Sequence, residues 1–99
     1  MTRVLRSAAF ASDLTAAYTY LSDHNPPAAD RFFDEVEITI ELLAAFPAIG
    51  RARGELRRGV RSIRLWRFPY IVFYRAAPGQ VTMLRIVHAA RDHRRIRLG

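Results

Sequence analysis

Nine side chains in the second half of this sequence belong to types that handle phosphates and protons: Arg64, Arg67, Tyr70, Tyr74, Arg75, Arg85, His88, Arg91 and His93. Gathered in one place, arginine, histidine and tyrosine can cleave RNA without a metal. One group accepts the 2′-OH proton, another donates to the leaving 5′-oxygen, and a guanidinium stabilises the phosphorane between them. The same set can do no chemistry at all and simply grip phosphates. Each residue also has a structural role open to it: Tyr70 and Tyr74 as core, His88 as a hydrogen-bonded core histidine, Arg85 as an ion-pair partner of Asp92.

Other chemistries fail on residue types. The chain has no cysteine, which excludes disulfides, thiolate zinc sites and a cysteine nucleophile. His88 and His93 are near each other in sequence, but Asp92 is the one acid beside them, so neither a metal nor any other cofactor is expected. The segment GRARGELRRG at residues 50–59 lacks the lysine and hydroxyl of a phosphate-binding P-loop, and no G-x-S-x-G nucleophile elbow occurs.

Charge is unevenly spread. All 16 basic residues are arginine; residues 1–50 carry 3 of them against 7 acids, and residues 51–99 carry 13 against 2, so halves of −4 and +11 make up the net +7. Such a basic half either serves an anionic partner, nucleic acid or an acidic protein segment, or reflects coding composition alone.

The elements that must position these residues follow from periodicity. At 99 residues and 51% hydrophobic, the chain reads as one domain, 1–99, with ample material for one core. Residues 2–5 suit a short strand, and Ser7 can cap a helix on which Phe10, Leu14, Ala17, Tyr18 and Leu21 recur at helical intervals. Pro26 and Pro27 stop that helix, and Asn25 can cap the next. There Ala29, Phe32, Phe33, Val36, Ile40 and Leu43 form an apolar stripe, while Asp30, Asp34, Glu37 and Glu41 form an acidic one that can meet arginines of the second half. Residues 46–50 break the helix and residues 51–59 read as a surface loop.

The period then changes to two. Residues 60–68 and 70–74 read as strands separated by Pro69, residues 76–80 as a hairpin connection, and residues 81–88 as a last strand. Alternation along it places Leu84, Ile86 and His88 on one face and Met83, Arg85 and Val87 on the other. Helices and strands segregate, which defines an α+β class: an N-terminal strand and a two-helix hairpin packed on an antiparallel sheet. The longest apolar run near the N-terminus, residues 8–11, is too short for a signal or membrane segment, so a cytoplasmic location and no membrane partner are expected.

Three stretches carry a resemblance: residues 43–50 with the Pro47…Gly50-Arg51 break, the strand Tyr70-Ile71-Val72-Phe73-Tyr74-Arg75, and Ile86-Val87-His88-Ala89-Ala90-Arg91-Asp92 before a short tail. In this order, over nearly the whole chain, they resemble the ParE branch of the RelE/ParE toxins of bacterial type II toxin–antitoxin modules. The resemblance implies a cognate ParD-like antitoxin with an acidic C-terminal segment, and a toxin–antitoxin hetero-oligomer.

Its branch bears on activity. RelE-like members are ribosome-dependent mRNA endonucleases with an arginine at the start of the strand that here begins with Tyr70, a basic pair in the preceding loop and a tyrosine in the tail. Here Arg91 matches the remaining arginine and Arg51, Arg53, Arg57 and Arg58 can supply the pair, but Tyr70 replaces the strand arginine and residues 94–99 contain no tyrosine. The resemblance therefore implies a ParE-like poison of DNA gyrase, without catalytic residues, contacting its target through His88, Arg91, Asp92, Arg94 and Arg95. The alternatives are a metal-free nuclease using Tyr70, His88 and Arg91, and an inactive relative that acts only in the antitoxin complex and operon regulation. For the antitoxin the expected contacts are Arg64, Arg67, Arg85, Phe33 and Tyr18.

Overall fold

The computed structural model describes residues 2–91 and Leu98. In chain order these form β1 (Arg3–Arg6), α1 (Ala8–His24), α2 (Pro26–Ala45), β2 (Arg51–Ala52), β3 (Val60–Arg64), β4 (Tyr70–Ala77) and β5 (Gln80–His88). The strands make one sheet in the order β1-β5-β4-β3-β2. From β2 to β5 every pairing is antiparallel, whereas β1 returns beside β5 in parallel, so the sheet is mixed. Both helices lie against one face, where Phe10, Leu14, Phe32, Val36, Ile40 and Leu43 meet Val72, Tyr74, Val81, Met83 and Ile86. A smaller cluster on the other face joins Val60, Phe73, Leu84 and Val87 to Leu56 and Leu98.

Capping fixes the helix starts. The Ser7 hydroxyl accepts from the Phe10 N–H at 3.0 Å and donates to the Leu84 carbonyl at 2.9 Å, tying the α1 entry to β5. Asn25 closes α1, with its N–H on the Leu21 carbonyl, and opens α2, with its side chain accepting from the Ala28 N–H. One residue thus separates the helices, and Pro26 and Pro27 are tolerated in the first turn of the helix they start.

Three details depart from the periodic reading. Residues 51–59 are not all loop: Arg51 and Ala52 pair with Ser62 and Arg61 as the sheet's edge strand. The strand after residue 60 ends at Arg64 rather than at 68. On β5 the alternation breaks, for Phe73 faces Arg85 and Tyr74 faces Met83, leaving Leu84 as the extra residue of a bulge. Phase is lost there, so Met83 and Ile86 share the helix-side core while Leu84 and Val87 share the opposite cluster.

The charges also pair differently from expectation. On α2, Glu37 takes Arg6 of β1, and Asp30 accepts from the Tyr18 hydroxyl at 3.1 Å. Among the described residues, the acids that hydrogen-bond across to the second half are Asp13 and Glu35 instead. Glu35 accepts from the Arg67 N–H at 3.1 Å. Asp13, on α1, grips Arg85 through Nε at 2.6 Å and a terminal nitrogen at 3.0 Å, and also accepts from the Ile86 N–H at 3.1 Å. This two-pronged pair pins α1 across the bulged strand. Replacing Asp13→Ala removes three charge-assisted bonds at a half-buried site, and a loss of about 1–3 kcal/mol is expected in urea unfolding. An unchanged midpoint would make the pair dispensable.

Candidate functional site

The site is built where β5 ends. His88 stands opposite Tyr70 across the β4–β5 ladder, with their rings edge to face at 5.2 Å. The Ala89 N–H bonds the Pro69 carbonyl at 2.7 Å, and the N–H groups of Ala90 and Arg91 converge on His88 Nδ1 at 3.2 and 3.3 Å. The ring nitrogen thus serves as the acceptor around which the turn closes. Folded around that ring, the turn brings the exposed Arg91 guanidinium over Tyr20 at 5.6 Å. Tyr20 in turn stacks on His24, with centroids 4.2 Å apart, and His24 Nδ1 bonds the Tyr20 carbonyl.

A cleft of about 290 Å³ results, lined by Asp13, Ala16, Ala17, Tyr20, Tyr70, Ile86, His88 and Arg91. Thus Tyr70, His88 and Arg91 are brought to one place. Tyr70 is buried there, packed on Phe32 at 5.1 Å. Asp92, His93, Arg94 and Arg95 lie outside the described residues. Periodicity gave no sign of Tyr20 and His24, which fall off the core stripe of α1; their i, i+4 spacing near its end was the available signal.

Among the described residues, four arginines of the basic half are committed within the fold. Arg53 bonds Glu55 at 2.7 Å and lies over the Phe73 ring, and the same hydrogen bond holds the exposed Glu55 carboxyl below the usual carboxylate range. Arg61 donates to the carbonyls of Ala48 and Gly50, and Arg57 to that of Leu98. Arg85 is held by Asp13, so as an antitoxin contact it is already engaged, and the expected pair with Asp92 lies outside the described residues. Arg64 and Arg67 remain at the surface, on a groove between α2 and β3. Phe33 and Tyr18 lie elsewhere, edge to face at 6.3 Å in a groove between the helices that also carries Asp30 and Asp34. The five expected antitoxin contacts therefore fall in separate regions.

A helical hairpin on a mixed sheet, with an arginine-bearing turn at its edge, is an architecture with solved relatives. A chain of the structure titled "Chromosomal ParDE TA system from P. aeruginosa" superposes with a TM-score of 0.75 at 24% identity, over 89% of this chain and 96% of that one. The model of the family described as "ParE toxin of type II toxin-antitoxin system, parDE" matches residues 4–93. Toxin ParE3 of Caulobacter vibrioides is 32% identical over 88 residues, covering 88% of this chain and 86% of its own. Toxin RelE2 of the same organism is 34% identical over 80 residues, covering 81% and 86%. The chain belongs to the ParE toxin family of type II toxin–antitoxin systems.

Proposed function

We propose that this toxin poisons DNA gyrase by binding rather than by catalysis, acts in the cytoplasm, and is neutralised in a hetero-oligomer with a ParD-like antitoxin. The observation that carries the non-enzymatic reading is the state of the nuclease set in the cleft. Tyr70 is buried against Phe32, which leaves its phenol poorly placed to exchange a proton with a substrate, and it stands at the strand position where RelE-like members have an arginine. Arg91 is exposed on the Tyr20 ring, and a planar guanidinium presented by a hydrogen-bonded turn suits recognition of a carboxylate or phosphate. Gyrase as the target rests on membership of the ParE family.

The relative named Toxin RelE2 favours a second reading, cleavage of ribosome-bound mRNA. Induction in growing cells separates the two. Gyrase poisoning predicts DNA-damage signalling and filamentation with bulk mRNA intact, and inhibition of supercoiling by the purified protein. Ribosome-dependent mRNA cuts with normal supercoiling would replace it with the nuclease reading. Growth unaffected by the free toxin would make the protein an inactive relative.

A further inference from the structure

A groove of about 550 Å³ runs between the two helices, lined by Leu14, Thr15, Tyr18, Asp30, Phe33 and Asp34. Its walls are aromatic: Tyr18 and Phe33, edge to face, are 36% and 40% exposed. The charges that line it are all acidic, in a chain whose net charge is +7. Asp30 accepts from the Tyr18 hydroxyl, whereas among the described residues Asp34 has neither an ion-pair nor a hydrogen-bond partner. Aromatic rings beside an unpaired carboxylate select a ligand that is apolar and cationic at once. Nucleic acid and an acidic protein segment are both repelled from such a surface.

The chain itself displays a knob of that chemistry. Trp66, its single tryptophan, is 83% exposed, and the Arg67 guanidinium lies over the indole at 4.8 Å. The exposed Arg64 shares this surface, and the one acid beside the knob, Glu35, already accepts from the Arg67 N–H. The knob stands on the opposite side of α2 from the groove between the helices, and Asp34 borders both surfaces. A two-fold axis running along α2 therefore sets the knob of each copy over the groove of the other, so that one contact is made twice. We infer that the free toxin pairs with a second copy of itself, Trp66 and Arg67 of each copy entering the groove between the helices of the other. Copies of net charge +7 repel at a distance, so the attraction arises at contact, from the buried indole and from Arg67 against Asp34. This surface lies apart from the Arg91 cleft, and the inference is independent of the target on which the toxin acts.

Trp66 reports on the contact directly, because the chain has no other indole. Sedimentation velocity on a dilution series of the purified full chain should show monomer passing to dimer as concentration rises. Tryptophan emission should move to shorter wavelength along the same curve. Truncating a hot-spot residue costs about 30-fold or more in affinity, so Trp66→Ala should raise the dimer Kd by that order. Asp34→Arg and Arg67→Asp should each raise it by about 10-fold, and the double variant, with the two charges exchanged, should recover most of that loss. All three positions are exposed, so the melting temperatures of the dilute, monomeric variants should match wild type. A monomer at every concentration, or a dimer whose emission does not shift, would overturn the inference. So would a Kd unchanged in Trp66→Ala, or a double variant no better than the single ones. An emission shift that appears only when DNA or the antitoxin encoded beside the gene is added would assign the indole to that partner, and it too overturns the pairing.

Discussion

Replacing Gly50→Ala should destabilise the protein by about 3 kcal/mol, more than any other single methyl group added to its surface loops. A Cβ at this position would lie 2.4 Å from the Tyr74 hydroxyl oxygen, 2.7 Å from a carbon of the same ring and 2.9 Å from the Ser62 carbonyl oxygen. None of these can yield cheaply. Tyr74 is wholly buried, and its hydroxyl is fixed by donating to the Pro47 carbonyl and accepting from the Gly50 N–H, both at 2.8 Å. Ser62 is ladder backbone, paired with Arg51 on one side and Phe73 on the other. For a domain of this size, such a loss lowers the melting temperature by about 12 °C or more. Tyr74→Phe keeps the ring but leaves the Gly50 N–H and Pro47 carbonyl without the hydroxyl, which costs about 1–3 kcal/mol. The double variant should lose less than the sum, because deleting the hydroxyl removes the shortest of the three clashes.

The same tyrosine gives a pH signature. Burial pushes the Tyr74 phenol above its ordinary value of about 10. The unfolded chain therefore ionises first, so the folded state keeps its full stability below pH about 10 and loses it as pH rises through the folded value. Thermal melts taken from neutral to alkaline pH should fall less steeply for Tyr74→Phe than for wild type. Equal slopes would remove Tyr74 from the alkaline transition.

This knot explains which parts of the fold could be read in the residues. Pro47, Gly50 and Tyr74 stood out in the sequence as pieces of a family resemblance, with no physical link between them. In the structure they are one hydrogen-bonded corner that turns α2 into the sheet, so the resemblance was reporting a contact across 24 residues. The buried stripe of α2, apart from the exposed Phe33, and both helix caps were legible because helical periodicity and proline chemistry are local. The faces of β5 were not, because one bulge at Leu84 reverses an alternation that otherwise looks regular. The parallel seat of β1 was also hidden, since four residues carry no mark of which neighbour they join. At the candidate site, Tyr70, His88 and Arg91 could be picked out by type, whereas Tyr20, His24 and the Trp66 groove depend on surfaces that only packing defines. Charge misled in one respect: four of the 13 arginines of the second half, Arg53, Arg57, Arg61 and Arg85, close internal contacts.

Arg91 carries the largest functional expectation. Arg91→Ala should abolish growth inhibition in cells that accumulate the variant to wild-type levels, while its unfolding free energy stays within about 0.5 kcal/mol of wild type. The stability half of this expectation follows from exposure. Among the described residues no carboxylate pairs with Arg91, and its ring contact with Tyr20, 5.6 Å from the centroid at a solvent-facing site, belongs to the weak end of such contacts, about 0.5 kcal/mol. The turn itself is held by backbone N–H groups on His88 and does not need the guanidinium. The functional half follows from geometry, since the arginine is presented at the mouth of the cleft on a rigid strand end. Arg91→Lys separates charge from shape. A lysine keeps the positive field but offers no planar fork, so toxicity should remain severely reduced if the target group is a carboxylate or phosphate gripped by two parallel bonds. Wild-type toxicity in Arg91→Lys would reduce the role of Arg91 to charge alone. Wild-type toxicity in Arg91→Ala would remove the cleft from the mechanism and direct attention to the exposed arginines Arg51, on β2, and Arg58, in the loop that follows.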